Sequence, residues 1–157
     1  MIRSVRTCSR QDALKLLSVH SLDRVWLGFD GGDEPSPLRE SSEPSAAVPV
    51  ADWDPDSPWR GHHGTGVLAP TIVAARVVVA WVLMWRADRE LVDLYVHCHA
   101  GLFRSGAVAE WVRVDLGVPE ASGSRRLVDV IDGEHTDRVY NTTLLRLLRA
   151  AHAEVGS

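Results

Sequence analysis

The chain has 157 residues, which is enough for one domain, 1–157, with a sizeable core. Hydrophobic residues make up 45% and charged residues 24%, as is typical of a soluble globular protein. A formal net charge of −4 excludes a strongly basic surface, so any anion-binding site is local and a nucleic-acid partner is not expected. Two cysteines far apart in sequence, Cys8 and Cys98, make a poor disulfide framework and favour a reducing, cytoplasmic setting.

The N-terminal half of the chain predicts short strands and one helix. Ser9 is placed to cap that helix, with Asp12 in its first turn. The turn-forming run Asp30-Gly31-Gly32 stops the second strand, and a loop rich in Ser, Pro and Glu follows it. The predicted elements are a strand at 2–7, a helix at 9–17, a strand at 24–29, a loop at 33–46 and a strand at 47–51.

The C-terminal half contains one segment, 67–85, that is apolar enough to be compared with a membrane span. An arginine in the middle of a span is costly, and Arg76 lies there, so we expect a buried helix and no membrane association. Pro70 suits the first turn of this helix, and Gly117 suits the end of a later one. Residues 118–140 show no clear pattern. The predicted elements are a helix at 70–87, a strand at 91–96, and helices at 104–116 and 141–153.

Strands that are separated by helices predict the fold class. The expected architecture is α/β, a three-layer sandwich with a mainly parallel central sheet flanked by helices. Ligands of such sheets bind at the carboxyl ends of the strands. The strand at 91–96 is short, apolar and rich in β-branched residues, so the turn after it is the first candidate for a site.

That turn contains residues suited to phosphoryl chemistry. Cys98 ends the strand, Arg104 opens the next helix, and Gly101 between them allows backbone angles that a side chain would forbid. Backbone N–H groups of a turn and a helix N-terminus bind anions and favour a thiolate, while an arginine offers a planar fork to two phosphoryl oxygens. A thiolate beside a bound phosphoryl group is a nucleophile, and the hydroxyl of Ser105 can donate a hydrogen bond to the sulfur.

The segment from His97 to Ser105 resembles the signature of the cysteine-based protein-tyrosine and dual-specificity phosphatases, HCxxGxxR followed by Ser or Thr. His97, Cys98, Gly101, Arg104 and Ser105 match it. The helix predicted from Asn141 resembles that of short bacterial or phage-type members. The resemblance implies a phosphotyrosine phosphatase-like fold and a phosphocysteine intermediate, with no cofactor and no metal. It also implies a phosphate or vanadate-type anion in the signature loop, the name used here for residues 98–104. The variable positions of this loop would contact substrate, and they are His99, Ala100, Leu102 and Phe103.

The same resemblance implies a general acid, an aspartate on a loop upstream of the cysteine. Three candidates occur together: Asp52, Asp54 and Asp56. The preceding run at 48–51 looks like the strand that leads to the acid in dual-specificity members, which favours Asp52. Asp52 lies 98 − 52 = 46 residues before Cys98, a longer separation than the family suggests, so Asp54 and Asp56 stay open. The loop at 60–66 could be an insertion that accounts for the extra length.

The implied substrate is a phosphorylated protein or a small phosphoester, above all phosphotyrosine, with phosphoserine and phosphothreonine as further substrates. An inositol phosphate or phosphoinositide substrate is disfavoured because the variable loop positions hold no Lys or Arg. An RNA 5′ end is disfavoured by the negative net charge. A phosphate-binding module without turnover is the alternative from another class, but such modules usually lose a catalytic residue, and none is missing here.

Overall fold

The computed structural model describes residues 1–30, 35–50, 70–99, 101–128 and 140–157. Four parallel strands form its sheet in the order β1-β4-β2-β3. They are β1 (Ile2–Cys8), β2 (Arg24–Phe29), β3 (Ser45–Val48) and β4 (Val92–His97). The helices are α1 (Arg10–Leu17), α2 (Ile72–Ala87), α3 (Phe103–Asp115), α4 (Arg125–Val128) and α5 (Thr142–Val155), with a 3₁₀ helix at Pro37–Glu40.

Helices cover both faces of the sheet, which makes three layers. Strand side chains alternate between the faces, so Val25 and Leu27 of β2 join the larger core with α2, α3 and α5, whereas Trp26 faces the other way. On that second face Trp26 packs with Ala13 of α1 and Leu38 of the 3₁₀ helix. The predicted three-layer α/β sandwich with a parallel sheet is confirmed.

The helix α3 lies deepest in the molecule. Every residue from Arg104 to Val112 is buried, including Trp111 at 0% exposure. The neighbouring helices α2 and α5 each bury one face only. Because α3 starts directly after the signature loop, the loop is anchored to the most buried helix of the described part of the chain.

The N-terminal elements match the predictions closely. Ser9 caps α1 by accepting a hydrogen bond from the Asp12 N–H, and the Asp12 carboxylate accepts one from the Ser9 N–H. This reciprocal capping box satisfies two backbone donors that a helix start leaves open. The left-handed Gly117, with φ of 71°, follows the end of α3 as expected.

The predicted bounds of β3 and α2 are wrong for local reasons, and one short helix lies where a loop is predicted. Strand β3 begins at Ser45, inside the predicted loop, and ends before Pro49, which cannot donate to the ladder. Pro70 precedes the helix and does not open it, because the Thr71 hydroxyl accepts the Ala74 N–H at 3.1 Å and makes Thr71 the N-cap. The 3₁₀ helix also lies within the predicted loop at 33–46, capped by Ser36.

The region 118–140, which gave no sequence prediction, contains α4 and a parallel bridge between Glu120 and Val5 of β1. Ion pairs fix the part of this region that the structure describes before residue 129. Arg126 is 1% exposed and pairs with Glu120 and, at 3.0 Å, with Glu110 of α3. Such contacts depend on the tertiary fold and leave no periodic pattern in the sequence.

Candidate active site

The candidate site lies at the carboxyl end of β4, one of the two inner strands. Cys98 follows β4 directly and is 1% exposed. Its Sγ lies 3.2 Å from the Oγ of Ser105, which is fully buried in the first turn of α3. Strand and helix therefore bring a thiol and a hydroxyl together across seven residues of sequence. The separation suits a hydrogen bond that can stabilise negative charge on the sulfur.

Gly101 shapes the turn between strand and helix. Its φ is 75°, a conformation that L side chains rarely adopt. A Cβ at this position would lie 2.5 Å from the carbonyl carbon of Cys8 and 2.6 Å from the nitrogen of Ser9. Both features require glycine, since neither the angle nor the backbone contact tolerates a side chain.

The start of α1 holds the same turn from outside the loop. The Arg10 N–H donates to the carbonyl oxygen of His99 at 3.0 Å. Together with the close approach of Gly101 to Cys8 and Ser9, this bond docks the signature loop on the junction between β1 and α1. The loop is thus fixed on two sides, by β1–α1 and by α3.

Arg104 lies at the same end of the sheet and is 3% exposed. Its Nη1 donates to the carbonyl oxygen of Val50 at 2.8 Å, just beyond the end of β3. The positive charge of Arg104 also contributes to lowering the pKa of His97, although less than burial does. The guanidinium is therefore near both the strand that carries the thiol and the chain that leads towards Asp52.

Several predicted residues lie outside the described parts of the chain. These are the acid candidates Asp52, Asp54 and Asp56, and the loop residue Ala100. Val50 is the last described residue before the acidic segment. The bond from Arg104 therefore places the approach to that segment beside the guanidinium.

The other variable loop positions differ in exposure. His99 is exposed, Phe103 is half-buried, and Leu102 is 7% exposed. The backbone of Phe103 accepts a hydrogen bond from the Asn141 N–H at 2.9 Å, which ties α3 to the start of α5. Leu102 is therefore buried, although its position in the loop is expected to contact substrate.

His97, the last residue of β4, is 1% exposed. Burial lowers its pKa to about 4, so the ring is neutral at physiological pH. Its Nε2 lies 2.6 Å from the Oγ of Ser36, the N-cap of the 3₁₀ helix. Sequence reasoning singled out His97 and missed Ser36. The Ser36-Pro37 pair does signal the start of a helix or turn, but nothing local indicates its partner 61 residues away.

Cys8, the second cysteine, belongs to the packing of the other face. It is 3% exposed and lies in the cluster with Trp26 and Leu38. Burial raises the pKa of its thiol far above the ordinary value, so the group stays protonated. Cys8 therefore fits the role of a small buried hydrophobe and not that of a reactive thiol.

Comparison with known proteins identifies the fold. No family model matches the chain, and no curated protein matches it. Among solved structures, Tk-PTP in its active form is 14% identical with a TM-score of 0.51, covering 96% of this chain and 92% of that chain. A mutant form of Tk-PTP is 16% identical with a TM-score of 0.51, covering 98% and 92%. The chain therefore has a protein tyrosine phosphatase-like fold. None of the helices in the described ranges is both long and apolar enough to cross a membrane.

Proposed function

We propose that this protein hydrolyses phosphomonoesters through a phosphocysteine intermediate, with protein phosphotyrosine as its main substrate. One observation carries the proposal. The buried thiol of Cys98 lies 3.2 Å from the hydroxyl of Ser105, and both follow a parallel strand at the edge where α/β folds bind ligands. The buried Arg104 next to them supplies the fixed positive charge that a phosphoryl group requires. The protein tyrosine phosphatase-like fold agrees with this chemistry.

In the first step the thiolate of Cys98 attacks phosphorus, and the bond from phosphorus to the ester oxygen breaks. Arg104 binds two equatorial oxygens and stabilises the charge that builds on them in the transition state. The departing oxygen needs a proton, which we assign to the carboxyl group of Asp52. The first step therefore releases an alcohol or phenol, and the phosphoryl group stays on the sulfur of Cys98.

In the second step a water molecule attacks the phosphocysteine, and the sulfur–phosphorus bond breaks. The carboxylate of Asp52 now accepts the proton from water, so the acid of the first step is the base of the second. The hydroxyl of Ser105 donates to the departing thiolate of Cys98 at the separation seen here. Inorganic phosphate leaves, and every group returns to its starting state.

The assignment of Asp52 is supported by the position of the chain just before it. Val50 is 0% exposed and accepts the hydrogen bond from Arg104, so the chain two residues before Asp52 lies beside the guanidinium that we expect to bind phosphate. Asp54 and Asp56 lie two and four residues further on and remain the alternatives.

The loop chemistry favours substrates with a single phosphate. The positions between Cys98 and Arg104 hold no Lys or Arg that would bind further phosphates, as an inositol polyphosphate would require. We place the reaction in the cytoplasm, where a catalytic thiol stays reduced.

The test is an assay of the purified chain on an aryl phosphate and on a panel of phosphopeptides. We expect turnover that survives EDTA, is inhibited by vanadate, and is abolished in Cys98→Ser, because a serine hydroxyl is not ionised at neutral pH without a base. Cys8→Ser is the matched control and should keep its activity. Binding of phosphate without turnover would show that the protein is a phosphate-binding module. Full activity of Cys98→Ser would show that Cys98 is not the nucleophile.

The acid is tested by its dependence on the leaving group. Asp52→Asn should slow hydrolysis of phosphotyrosine by about 100-fold or more, the usual scale for general acid catalysis, and slow an activated nitrophenyl ester far less. The same substitution at Asp54 and Asp56 supplies the internal controls. If one of those variants shows the leaving-group dependence and Asp52→Asn does not, the acid is the other residue.

A further inference from the structure

The hydroxyl of Ser36 makes two contacts inside the protein, and the first of them uses only its oxygen. Its oxygen accepts a hydrogen bond from the Leu38 N–H at 3.2 Å, as the cap of the 3₁₀ helix. On its other side the oxygen lies 2.6 Å from Nε2 of His97. Ser36 is 4% exposed and His97 is 1% exposed, so water does not compete for either group. The hydroxyl hydrogen is therefore available for the ring nitrogen.

Gly28 leaves the space in which this contact forms. It is paired with His97 across the sheet, and a Cβ at Gly28 would overlap Nε2 of His97. The same Cβ would lie 2.8 Å from the Ser36 oxygen and 2.7 Å from the side chain of Leu38. The absence of a side chain at this point of β2 is what allows a serine from outside the sheet to reach the ring.

Asp30 fixes the backbone of Ser36. Its carboxylate accepts a hydrogen bond from the Ser36 N–H through one oxygen and pairs with Arg39 at 2.8 Å through the other. The serine is thus held at its amide by Asp30 and at its hydroxyl by the Leu38 N–H. A hydroxyl constrained in this way loses little further freedom when it binds the ring.

The remaining ring nitrogen of His97, Nδ1, is buried and has no hydrogen-bond partner among the described residues. The backbone of the next residue, Cys98, raises the pKa of the ring, although burial lowers it by more. A neutral imidazole carries one proton. If Nε2 accepts a hydrogen bond from Ser36, that proton must lie on Nδ1.

We propose that Ser36 is a positioning residue: its hydroxyl donates to Nε2 of His97, keeps the ring proton on Nδ1, and so directs an N–H at the backbone of Cys98. The serine holds the turn that carries the thiol without touching the substrate. The inference rests on the proposed function for its kinetic consequence, whereas the position of the ring proton can be measured without any turnover.

The kinetic test compares Ser36→Ala with Ser41→Ala. The Ser41 hydroxyl accepts the Glu43 N–H at 3.1 Å at the other end of the same 3₁₀ helix, so its removal disturbs that helix in a similar way. With an aryl phosphate we expect Ser36→Ala to lower kcat about tenfold, the scale of one hydrogen bond, with KM changed less than threefold. Ser41→Ala should stay within twofold on both. Equal effects of the two substitutions would reduce Ser36 to a helix cap and overturn the proposal.

The direct test is long-range ¹H–¹⁵N correlation NMR of the imidazole rings in the wild-type protein, with His97→Gln used to assign the signals of His97. We expect a protonated Nδ1 and an unprotonated Nε2 at neutral pH, and a shift of the proton towards Nε2 in Ser36→Ala. A wild-type ring protonated on Nε2 overturns the proposal even if Ser36→Ala fails to fold. A chain with the expected tautomer and no hydrolysis would instead contradict the proposed function.

Discussion

The sulfur of Cys98 and the hydroxyl oxygen of Ser105 lie 3.2 Å apart, and both residues are buried. A hydrogen bond to a charged group contributes about 1.5–3 kcal/mol, and it acts most strongly when the thiolate leaves in the second step. Ser105→Ala should therefore lower kcat by about 10- to 100-fold. The initial burst of released alcohol or phenol, which reports the first step, should persist.

Rapid-quench kinetics with a nitrophenyl ester separates these steps. Ser105→Thr keeps the hydroxyl and is the matched variant, expected to retain most of the steady-state rate. If Ser105→Ala lowers the burst rate and the steady-state rate equally, the hydroxyl acts before the intermediate forms. The predicted role of Ser105 in the second step would then be wrong.

Arg104 and Arg113 lie on the same helix but in different surroundings, which makes them a matched pair. Arg104 is 3% exposed and donates to Val50, whereas the Arg113 side chain is 29% exposed and pairs with Glu110 at 2.8 Å. Lysine keeps the charge but loses the planar fork. Arg104→Lys should lower kcat/KM by about tenfold or more through both kcat and KM, since charged hydrogen bonds are lost in the bound and transition states.

The control, Arg113→Lys, should leave both kinetic constants near wild type, because a partly exposed ion pair contributes little. Measuring the vanadate inhibition constant alongside provides an equilibrium readout of the anion site. Near-native inhibition and kinetics in Arg104→Lys would mean that Arg104 stabilises the fold by its bond to Val50 and does not bind phosphate.

Two glycines with the same backbone conformation differ in their surroundings. Gly101 and Gly117 have φ of 75° and 71°, yet a Cβ at Gly117 would meet nothing within 4 Å. Gly117→Ala should therefore lower the free energy of unfolding by about 1–2 kcal/mol, the cost of a left-handed alanine, with kcat/KM unchanged. Gly101→Ala adds the clash with the backbone of Cys8 and should lower kcat/KM at least tenfold as the loop moves away.

Thermal unfolding and steady-state kinetics on both alanine variants check this prediction. The informative quantity is the ratio of lost activity to lost stability, which should be much larger for Gly101→Ala. Equal ratios would mean that the contact between the loop and the β1–α1 junction does not matter for the site.

Elements that are marked by a local sequence pattern could be predicted from the sequence alone. Ser9 and Asp12 form a capping box in four residues, and the apolar strand before Cys98 lies within one residue of its predicted bounds. The cysteine, glycine and arginine of the signature loop could be named because their spacing along the chain is itself the pattern. These residues therefore needed no tertiary information to be recognised.

Residues whose roles depend on distant partners could not be found this way. Ser36 lies 61 residues from His97, and the Pro37 beside it signals only the start of a helix or turn and not the distant partner. No local pattern around Arg126 indicates that it is buried, although Glu110 and Glu120 hold it in the interior. In both cases the tertiary fold creates the environment that gives the side chain its role.

Because His97 is buried, it makes the free energy of unfolding depend on pH in a range that differs from that of the carboxylates. Burial lowers the pKa of His97 from 6.5 to about 4, so between these values the unfolded chain binds more protons than the folded one. Stability is therefore present above pH 6.5 and falls as the pH drops towards 4, by about 3 kcal/mol in all. Burial alone would raise the pKa of Glu43, but hydrogen bonds from Arg24 and Trp26 outweigh burial and lower the pKa from 4.5. Protonation of Glu43 therefore lowers the free energy of unfolding only below that pH.

Urea unfolding at intervals from pH 7.5 to pH 4.5 measures the slope in the window where His97 should dominate. His97→Gln keeps a polar group of similar length beside Ser36 and removes the titration, so it should flatten the slope whatever its stability at pH 7. The slope of the wild type should change little in 1 M NaCl, because its main cause is desolvation and not interaction between exposed charges. A slope that survives in His97→Gln would show that His97 is not the group buried in its neutral form.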